Sequence, residues 1–173
     1  NRYWVSTHVY VMTPGINTSL VPAAQRPKTY DDLLLPFWRD KMVWKPNDMS
    51  GATGFVANVL TAMGEERGMA YLRKLAGQKI RMVNASARAV LDQVIGGEYP
   101  MSLQIFNHHA AISAKKGAPV DWVRLNPSTV NPSLVALTKN SQRPNAGQLF
   151  LEFMTSPEGQ ASASTPMLEM PRG

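Results

Sequence analysis

The chain has 173 residues, 44% hydrophobic and 17% charged, the composition of a folded globular domain rather than a disordered segment. The absence of cysteine excludes disulfides, thiolate metal sites and cysteine nucleophiles, and no apolar run approaches the ~20 residues needed to span a bilayer. A formal charge of +6 favours anionic partners, but the basic residues are scattered without interleaved aromatics, so no nucleic-acid groove is indicated.

Alternation of Val5, Thr7, Val9 and Val11 predicts a first strand over residues 5–12, ended by a turn at Thr13-Pro14-Gly15. Residues 27–34 predict a short helix with Thr29 as N-cap and Asp31 and Asp32 in its first turn, closed by Pro36. A second strand falls at 41–44. After Ser50 a helix carries Phe55, Val56, Val59, Leu60 and Met63 at helical spacing and stops at Gly64. A further helix over 65–76 turns Met69, Leu72 and Leu75 inward. Residues 80–83 form a strand, and Asn84-Ala85-Ser86 caps a helix with Ala89, Val90, Gln93 and Val94 facing in. Residues 101–106 read as an apolar buried strand and 108–116 as a helix. Strands at 120–125 and 134–138 flank a proline-rich segment, 126–132, the best candidate for a linker or crossover. Two helices follow, at about 144–154 and 157–163. Strands alternating with helices indicate an α/β sheet with helices on both faces.

Enzymatic motifs are missing. There is no Gly-x-Ser-x-Gly elbow, no His-Glu-x-x-His helix and no Gly-x-x-x-x-Gly-Lys loop. The carboxylate pairs Asp31-Asp32 and Glu65-Glu66 fall in first helical turns, where the helix dipole accounts for them. A binding protein is expected, not an enzyme.

The segment Pro144-Asn145-Ala146-Gly147-Gln148-Leu149-Phe150-Leu151-Glu152-Phe153-Met154-Thr155-Ser156-Pro157-Glu158-Gly159-Gln160 resembles a signature late in periplasmic solute-binding proteins of ABC importers, in the ferric-iron-binding group and its relatives. Pro27-Lys28-Thr29-Tyr30-Asp31-Asp32-Leu33-Leu34-Leu35-Pro36-Phe37-Trp38-Arg39-Asp40-Lys41-Met42, Gly64-Glu65-Glu66, Gly97-Glu98-Tyr99-Pro100 and Lys116-Gly117-Ala118-Pro119-Val120 extend the resemblance over nearly the whole chain. It implies the C-terminal part of a type 2 periplasmic-binding-protein fold, two α/β lobes, each a mixed sheet flanked by helices, joined by crossover strands with the ligand between them. By that resemblance residues 1–16 are the first crossover and 17–125 the second ligand-binding lobe. Residues 126–173 are then the return crossover and helices packing on the other lobe. The opening residues Asn1-Arg2-Tyr3-Trp4-Val5 do not make a signal peptide, so an export signal is expected upstream. The implied protein is a periplasmic or membrane-tethered monomer that hands a small ligand to an inner-membrane ABC permease. The alternative is a sensory ligand-binding module of the same fold that signals occupancy to a partner.

Candidate site residues follow from chemistry and resemblance together. Ser50-Gly51-Ala52 opens a helix, and a first turn with a hydroxyl, a glycine and backbone N–H groups suits an anion, although a plain cap is the competing reading. Asn84 and Ser86 open another helix where the family supplies cleft contacts; capping alone would also explain them. Asn107-His108-His109 stands where ferric-binding members carry a tyrosine pair. Imidazole is neutral and borderline, suited to Zn²⁺, Ni²⁺ or Fe²⁺ more than to Fe³⁺. Adjacent side chains diverge by roughly 100° on a helix, so the pair could share a metal only in a bent segment. The simpler alternative is one histidine bonding an anionic or polyol ligand while the other packs, and the competing reading is two ordinary surface or core histidines. His8, on the first crossover, is a further candidate. The cargo is thus an anion, or a metal ion (Fe or Zn) with a synergistic anion, and no resident cofactor is required. The four tryptophans and ten methionines are expected to be core packing.

Overall fold

A 14-residue strand, β1 (Trp4–Asn17), runs straight through the turn expected at Thr13-Pro14-Gly15. Its pairing with a later strand steps from Thr13↔Ile105 to Gly15↔Ser102, so two steps on β1 face three on its partner. Pro14, which has no N–H to give to a ladder, is tolerated there because the register is already broken. Its carbonyl accepts the Val123 N–H at 2.8 Å on the other side. The proline and glycine thus mark a bulge, not a chain reversal.

The computed structural model describes residues 4–46 and 51–164, in two compact units. The larger is Tyr10–Val130, and the smaller joins the start of the chain, through Val9, to its end from Asn131. In the larger unit the strands β2 (Met42–Trp44), β3 (Arg81–Met82), β4 (Met101–Phe106) and β5 (Val120–Trp122) join β1 in the order β3-β2-β4-β1-β5. Strands β2, β3 and β4 are mutually parallel, while β1 is antiparallel to both β4 and β5. The sheet is therefore mixed, as expected. A sixth strand, β6 (Thr129–Ala136), pairs with β1 and begins five residues before the expected position, within the proline-rich segment.

Helices cover both faces. On one, Phe55 and Val59 of α1 (Ala52–Met63) and Tyr71 and Leu75 of α2 (Glu65–Ala76) pack on Met42, Trp44, Met101 and Leu103. On the other, α3 (Ala87–Ile95) and α4 (Asn107–Lys115) bury Val90, Leu91, Val94 and Ala110 against Val43, Ile105 and Val120. Each of the Val, Leu, Ile, Phe and Met side chains among these contributes about 1.5–3 kcal/mol on full burial. Within α3, Leu91 is buried and Ala89 exposed, against the expected inward face. The larger side chain takes the core position.

The segment expected as a helix at 27–34 is a single 3-10 turn, Asp31–Leu34. Its N-cap is Tyr30 rather than Thr29, while Asp31 and Asp32 do lie in the first turn. Just before it the Thr29 hydroxyl accepts the Asp32 N–H at 3.3 Å, and the Asp32 carboxylate accepts the N–H groups of Lys28 and Thr29 at 2.8 Å each. Those two backbone donors hold the Asp32 carboxyl below its ordinary value.

The smaller unit contains α5 (Pro144–Thr155) and α6 (Pro157–Ser164), at the expected positions. Leu151 is buried, and the Gln160 amide ties this unit to the start of β1 by donating to the carbonyls of Thr7 (3.1 Å) and Met154 (2.7 Å).

Candidate functional site

Each of the three parallel strands runs into a helix: β2 leads to α1, β3 to α3 and β4 to α4. Parallel strands all end at one edge of the sheet, so the N-termini of these three helices are gathered at that edge. Open α/β sheets bind ligands there, because unpaired first-turn N–H groups and the positive end of each helix dipole face the same space. Of the nine candidate residues, Gly51, Ala52, Asn84, Ser86, Asn107, His108 and His109 lie on these three openings. Ser50 lies outside the described residues, and His8 belongs to the smaller unit.

The α1 opening is tightly specified. A Cβ on Gly51 would stand 2.1 Å from the Lys45 carbonyl oxygen, so only glycine fits where the chain returns beside residue 45. The Ala52 N–H donates to that same carbonyl at 2.8 Å, which commits one of the first-turn donors to the backbone. At α3, Ser86 is the N-cap, its hydroxyl accepting the Ala89 N–H at 3.1 Å. Asn84, two residues earlier, is exposed.

No side chain caps the first turn of α4, which carries Asn107, His108 and His109, all half-buried. The two imidazoles do not diverge as their sequence spacing suggested. Their ring centroids are 4.3 Å apart at 65°, within a cluster completed by Tyr10 and Phe106. Side-chain rotation toward the shared aromatic neighbours overcomes the helical offset. Burial, with smaller contributions from His108 and Arg88, lowers the His109 pKa, and Asp92 partly offsets this. His109 is accordingly neutral at pH 7, one ring nitrogen a donor and the other an acceptor. Its Nδ1 is buried without a hydrogen-bond partner among the described residues.

Sequence reasoning missed the support behind this pair. Arg88 on α3 grips Asp92 through Nη2 (2.7 Å) and Nε (3.3 Å), and donates from Nη1 to Ser113 Oγ on α4 at 3.0 Å. The arginine therefore fastens α3 to α4 beneath the histidines. The Arg-x-x-x-Asp spacing was a legible i,i+4 signal; its reach to Ser113 was not. Among the described residues no group of three or more His, Asp or Glu side chains is placed to hold a metal ion. On His8, the Nδ1 lies 3.0 Å from the Thr7 hydroxyl.

Parallel strands that deliver three helix N-termini to one edge give an α/β unit the geometry of a ligand-binding wall. The chain belongs to the bacterial extracellular solute-binding protein family, whose model matches residues 1–171. That family is one of binding proteins, not enzymes. Among solved structures, the chain is similar to the periplasmic binding protein P5PA, with 26% identity and a TM-score of 0.70 over 91% of this chain and 51% of that one. It is similar in fold to iron-bound HitA from Pseudomonas aeruginosa, at 24% identity, TM-score 0.73, and coverage of 92% and 53%. The fold also matches AfuA from Actinobacillus pleuropneumoniae, solved with fructose-6-phosphate, at 19% identity, TM-score 0.71, and coverage of 92% and 51%. The chain thus spans about half the length of these relatives. No curated protein sequence matches it.

Proposed function

We propose that Tyr10–Val130, which contains the expected second lobe at residues 17–125, forms one wall of the solute site of a periplasmic ABC-importer binding protein. The observation that carries this reading is the convergence of the α1, α3 and α4 openings at one sheet edge, with Asn107, His108 and His109 on α4, which like α1 has no side-chain cap. The solute is an anionic small molecule of the phosphorylated or carboxylated polyol class. Helix N-termini favour its anionic end, and a neutral imidazole can both donate to and accept from its hydroxyls. AfuA, solved with fructose-6-phosphate, supports that class, whereas HitA supports iron. Iron is the weaker reading here, because histidines stand where phenolates would suit Fe³⁺. Residues from Asn131 onward, in the smaller unit, then belong with the first lobe. Solute bridging the two lobes stabilises a closed form, and that form is what the permease receives.

A thermal-shift panel on the full-length protein tests this. It comprises inorganic phosphate, sugar phosphates, small carboxylates, polyols, Fe³⁺ and Zn²⁺, each with and without chelator. The expected result is a stabilising shift with a phosphorylated or carboxylated compound that ignores the chelator. A shift seen only with metal, and abolished by chelation, would replace this reading with metal uptake.

A further inference from the structure

Gln104 is one of two buried polar residues of β4, with Ser102. It is 2% exposed, and its Nε2 is buried without a hydrogen-bond partner among the described residues. An amide donor left unpaired in the interior is costly, so such a group calls for an acceptor. The bulge in β4 accounts for its direction. Two bulged residues share one face, so Gln104 follows Leu103 toward the α1 side, and Ile105 then turns to the α3 side.

The side chain borders a cavity of about 10 Å³, also lined by Met12, Thr13, Tyr30, Phe55, Ser128 and Thr129. That volume accommodates one oxygen-sized group. The walls can share in holding it. Ser128 Oγ donates to the Leu125 carbonyl at 2.5 Å and Thr13 Oγ1 donates to the Val123 carbonyl, so both hydroxyls keep lone pairs to accept with. The cavity lies at the functional edge of the sheet. Gln104 precedes by two residues Phe106, from which α4 starts, and Phe55 is in the first turn of α1.

We propose that Gln104 binds a single oxygen atom at the foot of the α1 and α4 openings by donating an Nε2–H to it. The oxygen comes from an internal water or from the solute, and only the second source rests on the function proposed above.

The test uses the full-length protein, with the Gln104 side-chain amide assigned by its loss in Gln104→Met, a substitution of similar volume. A through-space NMR contact between that amide and a long-lived water, unchanged by inorganic phosphate, establishes the site with water in it. A phosphate-induced shift of the amide, with phosphate affinity reduced roughly tenfold in Gln104→Met, establishes the solute oxygen. If phosphate does not bind while the water contact is present, the anionic-solute reading weakens and the oxygen site stands. The proposal is overturned if the amide contacts no water, phosphate leaves it unmoved, and Gln104→Met raises Tm.

Discussion

Gly51 and His109 owe their roles to different physics. Gly51 has no alternative, because any Cβ would enter the Lys45 carbonyl oxygen. Gly51→Ala should lower stability by about 1–3 kcal/mol through displacement of the α1 opening, measured by denaturant unfolding of the full-length protein. An unchanged midpoint would mean the turn has another conformation of equal energy. His109 is governed by its surroundings. Its pKa is depressed below the usual 6.5, so as pH falls from neutrality through about 6.5 the unfolded chain takes up a proton before the folded one does. Stability should therefore decline over that window and down to the lower folded pKa. His109→Gln, which cannot titrate there, should flatten that part of the profile, and urea midpoints at several pH values would show it. A histidine pair was visible in the sequence, as was its place just after a strand. The contact between the rings was not, because it depends on side-chain rotation and on Tyr10, far away in sequence.

At the scale of elements, glycine and serine punctuation was the legible part. Gly64, at φ 79°, stops α1 where a left-handed residue is needed, and Ser86 caps α3 as expected. Ser86→Ala should cost about 1 kcal/mol, measurable as a lower unfolding midpoint. What escaped the sequence is long-range. Pro14-Gly15 signals a turn locally, and only the extra residue in β4 turns it into a bulge. The same bulge hid Gln104: residues 101–106 read as an apolar strand, and its two polar members, Ser102 and Gln104, are both buried. The tie at the end of the larger unit was equally hidden. Tyr30 Oη donates to the Pro127 carbonyl at 2.6 Å, and Asn58 Nδ2 donates to Tyr30 Oη at 2.6 Å and to the same carbonyl at 3.1 Å. Tyr30→Phe leaves Asn58 with one acceptor fewer and should cost about 1–3 kcal/mol. Asn58→Ala in the Tyr30→Phe background should then cost less than it does alone, which a double-mutant cycle reads directly.

At the scale of the molecule, the proposed site in Tyr10–Val130 follows the rule for open α/β sheets, which bind ligands at the carboxyl ends of parallel strands. Three short elements that look unrelated in sequence, around Gly51, Ser86 and His108, fall at one edge of the sheet because β2, β3 and β4 run the same way. The alternation of strands and helices made the α/β class legible, and the family resemblance placed the candidate residues, but no local pattern reveals strand order. The most direct test of this arrangement is calorimetric titration of the full-length protein with the best anionic compound from the thermal-shift panel. Wild type is compared with His108→Ala, His109→Ala and the exposed control Arg73→Ala on α2. The account predicts that each histidine variant loses about tenfold or more in affinity, while Arg73→Ala binds as wild type does. Wild-type affinity in both histidine variants would place the solute elsewhere and contradict the account.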